Sequence, residues 1–297
     1  MTSRSPQIPS PAALTRVAVL MTCHNRRALT VRCLESLRAQ QGEADIVPFV
    51  VDDGSSDGTA QAVHAAWPAA QVIAGDGSLF WNGGMRLAWE TAAGAGPFDH
   101  YLWLNDDVVL DPGAIRRLLR EAAALAGADG AIVLAGTTRC PSTNEASYGG
   151  QLRADPRRPL RLSVASPGSA AIAVESVSGN IVLVSAAAFA RLGNLSPAFI
   201  HIFGDLDYGF RARAAGIPVY AGSGFFGICE GPDMSGTSLD PRLSRLRRLR
   251  LRWREERKVH ARDWRTFVAR HGGAGPLRAI YSLTPWWRIL RTPRCSK

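Results

Sequence analysis

Short apolar runs alternate with helix-period segments over the first 135 residues. The run Val17-Ala-Val-Leu-Met21 has no polar position and predicts a strand buried on both faces. Leu29, Cys33, Leu34 and Leu37 follow at three- and four-residue steps, which predicts a helix over 28–40. The unit then repeats, with strand 46–51 and helix 59–67, strand 71–74 and a helix after Asn82, and strand 100–104 and helix 112–126. Such alternation predicts an α/β fold built on a parallel, doubly wound sheet with right-handed crossovers. Beyond 131–135 the pattern loosens. The stretch 137–170, rich in Pro, Gly, Ser and Arg, reads as loops with short strands. Regular patterning returns at 173–177 and 180–184. Helices are expected over 185–191 and 205–215, the second stopped by Gly216 and Pro218.

The last region differs in kind. Residues 242–297 hold 17 Lys/Arg against three Asp/Glu, while residues 1–241 hold 18 against 22, so the net charge of +10 belongs to the tail. Leu243, Leu246, Leu249 and Trp253 recur at helical steps among arginines over 242–258, which predicts a basic amphipathic helix. Two readings follow from it. The helix lies on an anionic membrane surface, or it packs its leucines and Trp253 on the preceding domain with its arginines in water. The chain thus divides into a flexible lead (1–15), an α/β domain (16–240) and a basic helical extension (241–297). The five cysteines are scattered and form no C-x-x-C pair, which points to reduced thiols rather than a disulfide framework. The run 17–21 is too short for a signal or spanning segment, so a cytoplasmic protein is expected. No nucleic-acid-binding module is recognisable, and nucleic acid is not expected as a partner.

Candidate chemistry gathers where predicted strands end, the position of ligand loops in open α/β sheets. Asp52-Asp53-Gly54-Ser55 follows one strand. Its carboxylates suit base N–H groups and ribose hydroxyls, with an Asx turn as the alternative. Asn105-Asp106-Asp107 follows another and suits a hard divalent cation bridging a diphosphate. Asp205 and Asp207 open a helix whose dipole favours ionised carboxylates, as a general base requires; helix capping by Asp205 with an Asp207–Arg211 pair is the alternative. Thr22, Asn25 and Arg26 end the first strand, where Asn25 suits a nucleoside and an arginine suits a phosphate. The segment from Gly75 to Gly84, with Asp76, Trp81, Asn82 and Gly83, reads as a loop that walls a sugar or base pocket, or as one pinned to the core by its aromatics.

In order and spacing, Thr22-Cys-His-Asn-Arg26, Val51-Asp-Asp-Gly-Ser-Ser-Asp-Gly58, Leu79-Phe-Trp-Asn-Gly-Gly84, Leu104-Asn-Asp-Asp107, Ser178-Gly-Asn180 and Gly204-Asp-Leu-Asp207 resemble glycosyltransferase family 2. The resemblance runs over residues 17 to about 230 and lies nearest to bacterial rhamnosyltransferase-like members that build cell-surface polysaccharides. It implies a GT-A fold with a mixed sheet and an inverting transfer of a sugar from a dTDP- or UDP-sugar to a hydroxyl of a lipid-linked or polysaccharide acceptor. It implies that Asp52 and Asp53 face the base and ribose, with Thr22, Asn25, Arg26, Ser55, Asp76, Trp81, Asn82, Gly83 and Asp106 completing the donor site. Asp107 with Asn105 would hold Mn²⁺ or Mg²⁺. Asp205 would be the base, and Asp207 would orient it or support the acceptor pocket. The acceptor would bring the protein to the inner face of the plasma membrane, and self-association through the tail stays open. Asn105 departs from the family's usual Asp, Gly204 from its Glu, and Cys229 from its His. A degenerate binding protein on the same fold is the competing reading. A nucleotidyltransferase and a Rossmann dehydrogenase fall away, because no glycine-rich loop follows the first strand.

Overall fold

The computed structural model describes residues 14–42, 44–231, 234–255 and 258–291. Most of the expected flexible lead, and Cys295, lie outside the described residues. The elements in chain order are β1 (Arg16–Cys23), α1 (Arg27–Arg38), β2 (Asp45–Asp52), α2 (Thr59–Ala66), β3 (Gln71–Ala74), α3 (Phe80–Gly94), β4 (His100–Leu104), β5 (Val109–Leu110) and α4 (Ala114–Leu125). Then come β6 (Val133–Arg139), β7 (Ala146–Tyr148), β8 (Gly150–Arg153), β9 (Leu162–Val164), β10 (Ile172–Ala173), β11 (Ser176–Val177), β12 (Ile181–Ser185), α5 (Ala186–Leu192), α6 (Gly204–Ala214) and β13 (Val219–Ile228). The extension forms α7 (Arg245–Glu255), α8 (Val259–His271) and α9 (Gly275–Arg291).

The main sheet runs β10-β13-β6-β12-β4-β1-β2-β3, and a small sheet runs β11-β8-β9. Strands β3, β2, β1 and β4 are parallel, as the alternation predicts. β12 is antiparallel to both β4 and β6, which makes the sheet mixed. Both faces are covered, which is why β1 is apolar at every central position. Val17, Val19 and Met21 pack with Cys33, Leu34 and Leu37 of α1 on one face. Ala18 and Leu20 pack with Met85, Ala88 and Trp89 of α3 and Tyr208 of α6 on the other. The Trp89 ring lies 4.9 Å from Phe189 and 5.5 Å from Tyr101, Trp103 and Tyr208, so one aromatic cluster fixes α3, β4, α5 and α6 together. Truncating such a side chain costs about 3–5 kcal/mol.

Three local expectations change. α3 begins at Phe80 rather than after Asn82, because Asp53 Oδ2 accepts the Phe80 N–H at 2.9 Å and so caps the helix from a different strand. α4 begins at Ala114 rather than at residue 112, and is entered through Gly113 at φ 71°. α7 turns the other way from its apolar pattern: Arg248 and Arg252 are buried, whereas Leu246 and Trp253 are 71% and 64% exposed. Arg248 Nε donates to the Ser238 carbonyl at 3.0 Å, a bond that a leucine in its place could not make.

Candidate active site

β1 lies between β2 and β4, where the strand order reverses, so the loops leaving β1 and β4 meet at one edge of the sheet. Arg26 spans them. Its guanidinium meets Asp106 Oδ1 at 3.0 Å and Asp107 Oδ2 at 2.7 Å. Asp106 is buried, and burial pushes its carboxyl up to about 7, with Arg26 opposing the shift and Asp107 adding to it. Asp107 keeps 28% of its side chain exposed and accepts the Cys229 thiol at 3.5 Å on its other oxygen. Asn105 turns its amide oxygen to the Trp81 indole N–H at 2.7 Å.

The β2 end is built around its two aspartates. Asp53 accepts Gly77 N–H at 2.8 Å on one oxygen and Phe80 N–H on the other, so it shapes segment 75–80. Gly75 is required there, since a Cβ would stand 2.7 Å from Asp53 Oδ1. Asp52 accepts Ser55 N–H at 3.0 Å in an Asx turn. Asn25, at φ 51°, accepts Ser56 N–H at 2.8 Å, and its own N–H reaches Ser55 Oγ at 2.9 Å. The β1 and β2 loops are thereby latched together. Asp76 accepts both the N–H and the hydroxyl of Ser78. Thr22 closes β1 against Gly84, where a Cβ would come within 2.1 Å of its Oγ1. Gly83 sits on the first turn of α3, 3.4 Å in the same sense from Leu79 Cβ.

A second group forms around the start of α6. Asp205 is partly exposed and accepts Gly179 N–H at 2.8 Å on one oxygen and Leu206 N–H at 2.8 Å on the other. Burial raises its carboxyl above the ordinary range, against those hydrogen bonds. Trp81 packs so closely on Gly179 that a Cβ there would lie 2.4 Å from the ring. Asn82 is buried and donates to the carbonyls of Ser196 at 3.0 Å and Phe199 at 2.8 Å. Its Oδ1 would stand 1.9 Å from a Cβ on residue 204, so with Asn82 in place that position takes a glycine. Asp207 points away, into Arg211 at 2.9 Å, Arg270 at 3.1 Å and His271 at 2.9 Å. Its carboxyl lies below the ordinary range: burial pushes it up, but the bonds to His271 and Arg270 and the charge of Arg211 outweigh burial.

The site thus has a first cluster of Asn25, Arg26, Asp52, Asp53, Ser55, Asp76, Asp106 and Asp107, and a second cluster of Trp81, Asn82, Asn105 and Asp205. Asp207 belongs to neither, since it joins α6 to α8. Tyr148 was missing from the sequence reading. Burial raises its hydroxyl to about 12, and its chain neighbours tie it to the site: Ser147 Oγ donates to the Cys229 carbonyl at 2.8 Å, and the Gly149 carbonyl accepts Ser178 N–H at 2.9 Å. A tyrosine on a short strand in an irregular stretch gives no local signal. Gly179 and Asn180 were visible only as part of the family pattern; Asn180 accepts Asn105 N–H at 3.0 Å and donates to Cys229 Sγ at 3.3 Å.

For a divalent cation the donor set narrows. Among the described residues no group of three or more His, Cys, Asp and Glu side chains is arranged to hold a metal. Asn105 faces an indole and Asp106 is buried against Arg26, so the expected pair of Asp107 with Asn105 reduces to Asp107. That carboxylate holds Arg26 on one oxygen and the Cys229 thiol on the other, so it fits a cation, with further ligands from a diphosphate and water, once Arg26 turns away.

The family model described as glycosyl transferase family 2 matches residues 18–178. No curated protein matches the chain. Among solved structures the chain is similar to the mannosyltransferase PcManGT from Pyrobaculum calidifontis, in complex with GDP-Man and Mn²⁺. The identity is 15%, the TM-score is 0.56, and the match covers 95% of this chain and 74% of that one. At that identity the likeness shows the GT-A fold.

Proposed function

The chain belongs to glycosyltransferase family 2, and from that premise we propose an inverting transferase that moves a sugar from a dTDP- or UDP-sugar to a hydroxyl of a lipid-linked or polysaccharide acceptor. Asp205 carries the reading. Two backbone N–H groups hold its carboxylate at the N-terminus of α6, each oxygen keeps a further lone pair, and its raised pKa makes it a stronger base than a solvated aspartate. It takes the acceptor hydroxyl's proton as that oxygen attacks the anomeric carbon and the nucleoside diphosphate departs from the opposite face. Asp52 reads the base or ribose, while Asp53 acts through the shape it gives to segment 75–80. Arg26 turns toward the diphosphate. A divalent cation held by Asp107 would neutralise charge developing on the leaving diphosphate.

The extension fits an acceptor anchored in a membrane on the cytoplasmic side. Leu246 and Trp253 on α7, and Ile280, Leu283, Trp287 and Leu290 on α9, are 48–71% exposed, and α9 carries three arginines and no acidic residue. Trp beside arginine suits an anionic interface. None of the described helices is long and apolar enough to cross a bilayer.

Calorimetric titration with dTDP-, UDP- and GDP-sugars, with and without Mn²⁺, tests the donor assignment. Metal-enhanced binding of a dTDP- or UDP-sugar supports it. Binding of the GDP class alone would replace the donor, and no binding of any donor would turn the reading to the degenerate alternative. Sedimentation with vesicles of anionic lipid, against vesicles of zwitterionic lipid, tests the surface assignment. Equal partition onto both, or onto neither, would remove it.

A further inference from the structure

We propose that α8 is part of the catalytic apparatus, with Asp263 as the positioning residue that fixes the loop delivering Asp205; this rests on Asp205 acting as the base. Asp263 is fully buried. Its Oδ1 accepts Ile200 N–H at 3.1 Å, and its Oδ2 accepts His201 N–H at 2.8 Å and Ile202 N–H at 2.9 Å. Three successive N–H groups converge on one carboxylate only when the backbone curls around it. The curl continues into Phe203, a bulky residue held at φ 70°, in the left-handed region it ordinarily avoids. A side chain keeps such a backbone only when its surroundings over-determine it. Phe267, one turn beyond Asp263 on α8, supplies that support by stacking on the Phe203 ring, with centroids 4.8 Å apart and planes 12° apart.

α6 begins at the next residue, and Asp205 follows it. The same face of α8 continues to Arg270 and His271, which hold Asp207. Asp205 is therefore bracketed by two attachments to α8, one three residues before it and one two residues after. The loop also reaches the rest of the second cluster. His201 Nδ1 accepts Trp81 N–H at 3.4 Å, and the Trp81 indole donates to Asn105. A buried carboxylate without donors is costly, and so are buried N–H groups without acceptors, so Asp263 and the loop each require the other in this arrangement.

The test uses the full chain with Asp263→Ala and Asp263→Asn. Release of nucleoside diphosphate from a dTDP- or UDP-sugar is followed with water or a hydroxyl acceptor, and donor affinity and competent fraction come from calorimetry. Because a base displaced by about 1 Å loses on the order of 100-fold in rate, kcat per donor-binding molecule is expected to fall about 100-fold in Asp263→Ala, with donor Kd changed less than about twofold. Asp263→Asn keeps one oxygen for the His201 and Ile202 N–H groups and is expected to lose about tenfold. An unchanged kcat per competent molecule in Asp263→Ala overturns the proposal. So does a fall in donor affinity equal to the fall in rate, which would mark general loosening. If the alanine variant does not fold, the asparagine variant decides alone by the same two readings. Asp205→Asn separates the premise: full turnover there rejects Asp205 as base whatever Asp263 does, while lost turnover there beside an intact Asp263→Ala rejects only the positioning role.

Discussion

The two faces of the first turn of α6 treat carboxylates two residues apart in opposite ways. Asp205 is held by two backbone N–H groups and burial raises its pKa, whereas Asp207 is held by two guanidinium groups and an imidazole that lower it. One face keeps a carboxylate above the ordinary range, as the proposed base requires, and the other uses a carboxylate to fasten helices. The helix dipole acts on both, so it is the partners that divide the roles. The sharpest test is Asp205→Asn. Loss of the base is expected to lower kcat by about 10³-fold, with donor affinity unchanged. Stability is expected to stay within about 1 kcal/mol, because relief from burying a charge offsets one lost hydrogen bond. Turnover and calorimetry on the same sample check both, and a kcat near that of the parent would erase the contrast between the faces.

On the opposite face the effect moves from rate to stability. Asp207→Ala leaves Arg211, Arg270 and His271 facing one another around a cavity, and a loss of about 2–4 kcal/mol is expected. The lower end allows for the two arginines, each with about a third of its side chain in water. Denaturant unfolding measures it. The sign with pH follows from the depressed carboxyl: the parent holds this stability above the ordinary carboxylate range and loses it as pH falls through the lower folded-state value, whereas Asp207→Asn has no such acid limb. Equal acid sensitivity in parent and variant would remove Asp207 from the role of fastener.

The contrast also marks what the chain discloses when read alone. Strands β1, β2 and β4 were legible because a sheet covered on both faces needs unbroken apolar runs, and the acidic clusters were legible because they sit where those runs stop. The Asp207–Arg211 pair was legible at helical spacing as an alternative to catalysis. What stayed hidden depends on contacts far apart in sequence. Asp53 caps a helix 27 residues on, and Asp263 holds a loop some 60 residues back. The leucine spacing of α7 pointed to the wrong face, since a buried Arg248 with a carbonyl partner packs where hydropathy assigns a leucine. Gly204 read as a departure from the family; the side chain that holds the position to glycine is Asn82, on another helix.

The smallest expected effect asks whether the two faces communicate through charge. With Asp205 as the proposed base, which must be ionised to act, kcat is expected to rise with pH through a value above the ordinary aspartate range. A bare negative charge at residue 207 would raise that value, and removing it would move the limb to lower pH. Asp207 is held on the opposite face by Arg211, Arg270 and His271, and what sets the Asp205 carboxyl is burial against its own backbone N–H groups. Asp207→Asn is therefore expected to move the limb by less than about half a pH unit, toward acid, in physiological salt. Nucleoside diphosphate release across a pH series in both proteins measures it. A displacement of about one unit or more would mean that the Asp207 charge reaches Asp205 across the helix, and that the fastening face also tunes the base.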